Sequence, residues 1–157
     1  MDIVAAERKT DVQAMTDRAR ILAIQAECQS LPDGDRMDES PPIKHWTAPG
    51  VYCREIHLKG DTLVVGRIHR HRHMNIISKG RVTVFTEFGL EEITAPASFI
   101  SEAGTKRVVH SHEDTIWMTI HPNPDDELDV SVLEDLYTAS DYAELGMLVG
   151  ECPEELE

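Results

Sequence analysis

From residue 50 to residue 121 short runs of alternating apolar and polar residues follow one another closely. The runs are V-Y-C-R-E-I-H-L, T-L-V-V-G-R-I-H, H-M-N-I-I-S, R-V-T-V-F-T-E-F, E-E-I-T, A-S-F-I-S-E, K-R-V-V-H and D-T-I-W-M-T-I-H. Many of their residues are β-branched or aromatic, the types that suit a pleated, half-buried surface. Between them stand K-G-D, K-G, F-G-L, A-P and A-G-T, where Gly or Pro supplies a turn. Alternation at period two sends successive side chains to opposite faces of a strand. Short strands at this spacing predict an antiparallel sandwich or barrel. No helical pattern interrupts them, which argues against a parallel α/β sheet.

Upstream the period changes. Residues 1–30 read as a helix in which Val12, Met15, Ala19, Leu22 and Ala26 form one apolar stripe. Thr10 and Gln13 have the spacing of a capping box: the hydroxyl accepts from a free backbone N–H and the amide reaches back. L-P-D-G-D should end the helix, since Pro32 cannot continue it and Gly34 permits a turn. The stripe is expected to pack on its own domain or on a twin subunit. Residues 33–49 are polar and carry prolines, and read as an arm that Trp46 pins to the core. Residues 123–157 are acidic, with a short helix expected over Ser140 to Val149, Leu145 and Leu148 facing in, before a solvated tail. The predicted organisation is a helix over 1–32, an arm over 33–49, a β domain over 50–122 and an acidic extension over 123–157.

Composition narrows the function classes. A chain of 157 residues, 41% apolar, suits one domain with a sizeable core. No run approaches the roughly 18 apolar residues that span a membrane. The opening M-D-I-V-A-A-E-R-K-T lacks the basic-then-apolar order of a signal peptide, so a cytoplasmic location is expected. Cys28, Cys53 and Cys152 are far apart and form no C-x-x-C, which argues against a disulfide framework or a thiolate zinc site. The formal net charge of −14 disfavours nucleic acid and anionic membrane, which reward basic surfaces. The one basic cluster, His69 to Arg72 with Lys79 and Arg81, is modest. No nucleophile elbow, phosphate loop, dinucleotide fingerprint or H-E-x-x-H is present.

Chemistry concentrates in G-R-I-H-R-H-R-H-M-N-I-I-S-K-G, Gly66 to Gly80. With the stretch that follows, to Asn123, it resembles the cupin superfamily, whose fold is a small jelly-roll β-barrel. The first cupin motif is a glycine, His-x-His, a Glu a few residues on, and a closing glycine. The second is a glycine, Pro-x-Gly, a His three residues on, and an Asn. Counting back from Gly80, His73 stands where the family has its Glu, His69 where the second His falls, and Arg67 in place of the first. Alternatively His71 and His73 are the His-x-His pair and no Glu follows. In the second motif, A-P-A-S-F-I-S-E-A-G-T-K-R from Ala95, Gly104 matches the turn glycine and Arg107 replaces the metal His, with His110 and His112 beyond it. The combination of G-V-Y-C-R-E-I-H-L with the His-rich stretch is also similar to small cupin-like proteins of bacteriophage and prophage genomes. The resemblance implies a mainly β fold: one antiparallel jelly-roll barrel with an N-terminal helix and a short helical, acidic C-terminal extension. It also implies a homodimer and, if phage-encoded, the host cytoplasm.

Neutral imidazole is a common ligand for zinc, iron and nickel, and three of them with water make an open site. The candidate metal ligands are His69, His71, His73 and His121, with His121 supplying the ligand missing at Arg107. His73, Asn75 and Ile77 form one row, and Thr115, Trp117, Thr119 and His121 form another that should line the interior. Its opposite, Ile116, Met118 and Ile120, should face the N-terminal helix or a dimer partner. Arg67, Arg107 and Trp117 are the candidate ligand-binding residues, Arg107 as a planar cation for a carboxylate or phosphate. Glu55 and Glu102 are candidate counter-charges or acid/base groups. His45, His57, His110 and His112 read as surface or satisfied residues.

Three functions remain open at this point. The first is a module binding a divalent metal (zinc, iron, nickel or manganese), a small polar or anionic ligand, or both. The second is a metal-dependent oxygenase or isomerase on the same barrel. The third is a structural or interaction protein with an inert barrel, since one scaffold hosts many functions.

Overall fold

A computed structural model describes residues 11–31 and 41–145. Each predicted run becomes a strand. These are β2 (Gly50–Leu58), β3 (Thr62–Val65) with a short β4 (Ile68–His69), β5 (His73–Lys79), β6 (Arg81–Thr86), β7 (Gly89–Thr94), β8 (Ala97–Ser101), β9 (Val108–Ser111) and β10 (Thr115–Asn123). The fourth run, R-V-T-V-F-T-E-F, gives β6 up to Thr86 and then the turn into β7. β1 (Ile43–Ala48) pairs antiparallel with β2, and β11 (Thr138–Ala139) pairs with β4.

Two antiparallel sheets result, in the orders β1-β2-β10-β5-β8 and β3-β9-β6-β7. Setting the edge strand β1 aside, eight strands divide four and four between the sheets, which is the jelly-roll arrangement. Leu58, Ile77 and Trp117 of the first sheet meet Val82, Val84 and Val109 of the second in one buried cluster, so the sheets face each other. Burying each aliphatic side chain there contributes about 1.5–3 kcal/mol. Gly80, the closing glycine of the first motif, joins β5 to β6 with φ +97°, and a Cβ there would collide with Thr115. Only glycine meets both demands without strain.

Four expectations about the flanks change. The N-terminal helix is α1 (Asp11–Ser30), but its buried side chains are Asp17, Arg18 and Ile21, whereas Ala19 and Ala26 of the expected stripe are exposed. A buried ion pair sets this register: Arg18 Nε lies 3.8 Å from Glu87, and the guanidinium sits 5.2 Å from the centre of the Tyr142 ring. Thr10 of the capping box and the side chains of Val12 and Met15 lie outside the described residues. α1 contacts β3 and β6, so Ile116, Met118 and Ile120 do not face it. These three sit half-buried on the outer face of the five-stranded sheet, near the exposed Met74, Ile100 and Trp46.

Trp46 therefore does not pin an arm to the core. It is 54% exposed on β1, its indole N–H donating to Glu55 at 3.0 Å. β1 itself falls inside the predicted arm. The C-terminal helix comes earlier than expected, as α2 (Val130–Tyr137), and residues 140–145 form a bend and turn. Asp129 caps α2 by accepting from the Ser131 N–H, and Leu133 and Tyr137 bury against Tyr52. Leu145 is half-buried against the Ile68–Ala139–Tyr142 cluster, whereas Leu148 lies outside the described residues. Among the described residues no helix is long and apolar enough to cross a membrane.

Candidate functional site

Three of the four candidate histidines come together from three strands. His69 ends β4, His73 opens β5, and His121 lies on β10, and all three are buried. Backbone pairing fixes each one: His69 opposite Thr138, His73 opposite Ser101 and His121 opposite Tyr52. His69 stacks on His73 with centroids 4.2 Å apart and on His121 at 5.0 Å, and His73 and His121 are tilted by 34° at 5.0 Å. Tyr137 of α2 covers the other side of His121 at 4.7 Å. His71 is not part of this set. The chain bends between β4 and β5, which breaks the period-two row and leaves His71 exposed, its ring edge against Tyr137. What His71 gives the cluster is its backbone carbonyl, 2.9 Å from His73 Nδ1.

The three imidazoles are neutral at ordinary pH. Burial is the main cause in each case: it takes His73 down to about 4, takes His121 to about 3, and holds His69 well below 6.5. Neighbouring imidazoles and guanidinium groups push the same way. A carbonyl only accepts, so His73 Nδ1 carries the proton and Nε2 keeps a lone pair. That Nε2 is buried with no hydrogen-bond partner, as is His121 Nδ1. His69 Nδ1 and His121 Nε2 are 3.1 Å apart and share one hydrogen.

Neutral, buried and partly unpartnered imidazoles have the chemistry of metal ligands. Their arrangement does not fit an ion. His69 Nδ1 and His121 Nε2 already meet each other at 3.1 Å rather than a common ion. Among the described residues no three His, Cys, Asp or Glu side chains form a metal-holding group. Glu55 and Glu102 supply no carboxylate here. Glu55 faces outward, bonded to His57 and Trp46, and exposed Glu102 pairs with Arg72 at 3.1 Å. The remaining histidines are satisfied elsewhere: His45 by Tyr52, His110 by Asp61 and His112 by Thr83.

Beside His69 a partly open cavity of about 290 Å³ lies between the sheets. Ile56, Leu58, Val64, Val109 and Trp117 give it apolar walls. Arg54, Arg67, Arg107, His69, Asn75, Thr119 and Glu134 bring polar groups to it. The structure thus places Arg67, Arg107 and Trp117 on one cavity with His69, whereas His73 and His121 do not line it. Sequence reasoning missed Arg54 and Glu134. The alternation of β2 carries a signal for Arg54, which shares the inward row of Tyr52, Ile56 and Leu58. Glu134 arrives on the unforeseen α2, where no local pattern marks it.

The cations differ in what holds them. Arg54 Nη2 donates to Glu134 at 3.0 Å, while its Nε is buried and unpartnered, as is Thr119 Oγ1. Arg67 Nε donates to Thr138 Oγ1 at 2.8 Å. Arg107 donates to Ser101 Oγ, which also accepts from Asn75 at 2.7 Å, and Asn75 Oδ1 accepts from the Trp117 indole at 3.0 Å. Its guanidinium lies 5.9 Å from the Trp117 ring centre. Burial lowers Arg107 to about 10, opposed by the Glu87 carboxylate, which leaves it charged at neutral pH.

No protein-family model and no curated protein matches the chain. Solved structures similar to it include three bacterial proteins. One is a Klebsiella pneumoniae protein described as having a double-stranded beta-helix domain, at 10% identity and TM-score 0.47, covering 57% of this chain and 78% of that one. Another is a cupin-2 domain protein of Shewanella frigidimarina, at 11% identity and TM-score 0.44, covering 62% and 98%. The third is KdgF from a Halomonas species, at 13% identity and TM-score 0.44, covering 55% and 79%.

Proposed function

We propose that this chain is a cupin-like small-molecule-binding module whose ligand occupies the cavity between the two sheets. One observation carries the reading: a space of about 290 Å³ with apolar walls and converging polar groups, two of whose buried polar atoms, Arg54 Nε and Thr119 Oγ1, have no partner. Such a space lies at the lower end of the range of ligand pockets, roughly 300–1,000 Å³. A buried polar atom left unmatched costs about 1–3 kcal/mol, which a ligand group would recover. His69 brings one neutral imidazole to the cavity wall, and Glu134 of α2 lines it too. The test is a thermal-shift screen with small polar fragments, run beside a Thr119→Phe variant that fills the cavity. Fragments should raise the melting temperature of the native chain and leave that of the variant unmoved. No response in the native chain, or equal responses in both, would reject the reading.

A second reading, a divalent transition metal on His69, His73 and His121, draws on the two unpartnered ring nitrogens. It requires His69 Nδ1 and His121 Nε2 to give up their mutual hydrogen bond for the ion. Elemental analysis after reconstitution with zinc, iron, nickel or manganese decides it, with stoichiometric metal expected to disappear in His69→Ala and His73→Ala. The same proposal has the protein act as a homodimer through the apolar outer face around Met118, and light scattering measures that mass. The likeness to phage-encoded proteins supports a phage origin, which the genes flanking the coding sequence would test.

A further inference from the structure

We infer that the ligand of this cavity is a small carboxylate with an apolar body, its carboxylate held by Arg107. The inference rests on the small-molecule reading above and adds the chemical class.

Charge makes the first argument. The chain as a whole carries −14, yet three guanidinium groups and one carboxylate line the cavity. That carboxylate, Glu134, is already matched to Arg54 at 3.0 Å. Among the described residues no carboxylate lies within ion-pair distance of Arg107 or Arg67. Arg107 is half-buried with Glu87, the carboxylate that acts on it, beyond ion-pair distance; a cation so placed is costly to desolvate, and it stands where an anion can enter.

Preorganisation makes the second. Trp117 fixes Asn75, Asn75 fixes Ser101, and Ser101 fixes one nitrogen of Arg107. The guanidinium is thereby oriented before any ligand arrives, with its other donors left for the cavity. A planar fork held this way matches the two oxygens of a carboxylate. Ile56, Leu58, Val64, Val109 and the Trp117 ring surround the remaining space, so the rest of the ligand should be hydrocarbon or aromatic. A free inorganic phosphate would leave that apolar wall uncovered. His69 and Thr119 offer a neutral donor and acceptor at the cavity wall, which suits one further polar substituent.

The experiment is calorimetric titration of the full chain with matched pairs: benzoate against benzamide, and isobutyrate against isobutyramide, with inorganic phosphate as a third probe. Each acid should bind at least tenfold more tightly than its amide. Arg107→Gln should lose at least tenfold for the acids and nothing for the amides, while Arg107→Lys should keep part of the affinity. The acid–amide comparison on the native chain stands even where a variant fails to fold. Amides binding as well as acids, or phosphate binding more tightly than either acid, would overturn the carboxylate assignment and leave the cavity's role in binding intact. No heat from any acid or amide at millimolar concentrations would overturn both.

Discussion

At one end of the space between the sheets, Leu58, Ile77, Val82, Val84 and Val109 close on one another as an ordinary hydrophobic core. At the other end the same strands, a step or two along, turn polar. Ile77 gives way to Asn75 and His73, Leu58 to Ile56 and then Arg54, Trp117 to Thr119 and His121, and the run leading into Val109 contributes Arg107. Each step of two residues stays on the inner face, so backbone geometry is constant and only chemistry changes. The apolar end stabilises the sandwich. The polar end buries imidazoles and unpartnered atoms, and half-buries the guanidinium groups of Arg54 and Arg107, which a folding domain would do better without. On the proposed reading, local rules broken in one place, with the rest of the chain obeying them, mark the place where binding outweighs stability.

The largest test of this division is Ile77→Ala, at the apolar end. It should cost about 2–5 kcal/mol through lost transfer energy and the void left behind, seen as a lowered midpoint in urea unfolding. The histidines give the next effect. Their folded pKa values lie below the ordinary 6.5, at about 4 for His73 and about 3 for His121. Between those limits the unfolded chain binds more protons than the folded one, so stability present above pH 6.5 is lost as pH falls. The loss should be on the order of a few kcal/mol. A His73→Gln, His121→Gln variant should show a flatter profile from pH 6.5 to 4.5. An unchanged slope would show that the imidazoles titrate freely. Asp114 and Asp129, whose carboxyls lie below their ordinary value because the charged form is hydrogen-bonded, act at lower pH and leave that window clear.

Smaller effects should come from the polar end and from outside. Arg107→Met removes a half-buried charge that has no carboxylate within ion-pair distance. It should leave unfolding free energy unchanged or raise it by up to about 1 kcal/mol, the opposite of Ile77→Ala although both residues are interior. Met118→Lys, on the outer face, should move monomer stability by no more than about 0.5 kcal/mol. If that face pairs two copies, the same change should halve the mass measured by light scattering.

The strands of the sandwich were legible because each is written in period two with a turn residue beside it. So were the two rows, Trp117 with His121 and His73 with Asn75, which the structure sets side by side on the inner face of one sheet. What escaped were features set by distant partners. His71 follows the alternation on paper, but the chain bends between His69 and His73. The register of α1 follows Arg18 and its buried partner Glu87 rather than the apolar stripe, and no single-helix pattern encodes such a pair. α2 is short, with two β-branched residues in its first turn, and its stability comes from Asp129 at its cap and from Leu133 and Tyr137 against Tyr52. β1 hides in a proline-bearing stretch and exists because β2 offers it an edge.

The most direct measurement uses the chain's two tryptophans, one at the cavity and one on the outer face. Their indole N–H signals separate in a two-dimensional NMR spectrum, and Trp46 serves as an internal control. On titration with benzoate, the Trp117 signal should move in a saturable way, because its N–H anchors the Asn75–Ser101–Arg107 chain. The Trp46 signal should stay in place. A Trp117 signal that never moves, or one that moves no more than that of Trp46, would contradict the assignment of this cavity as the binding site.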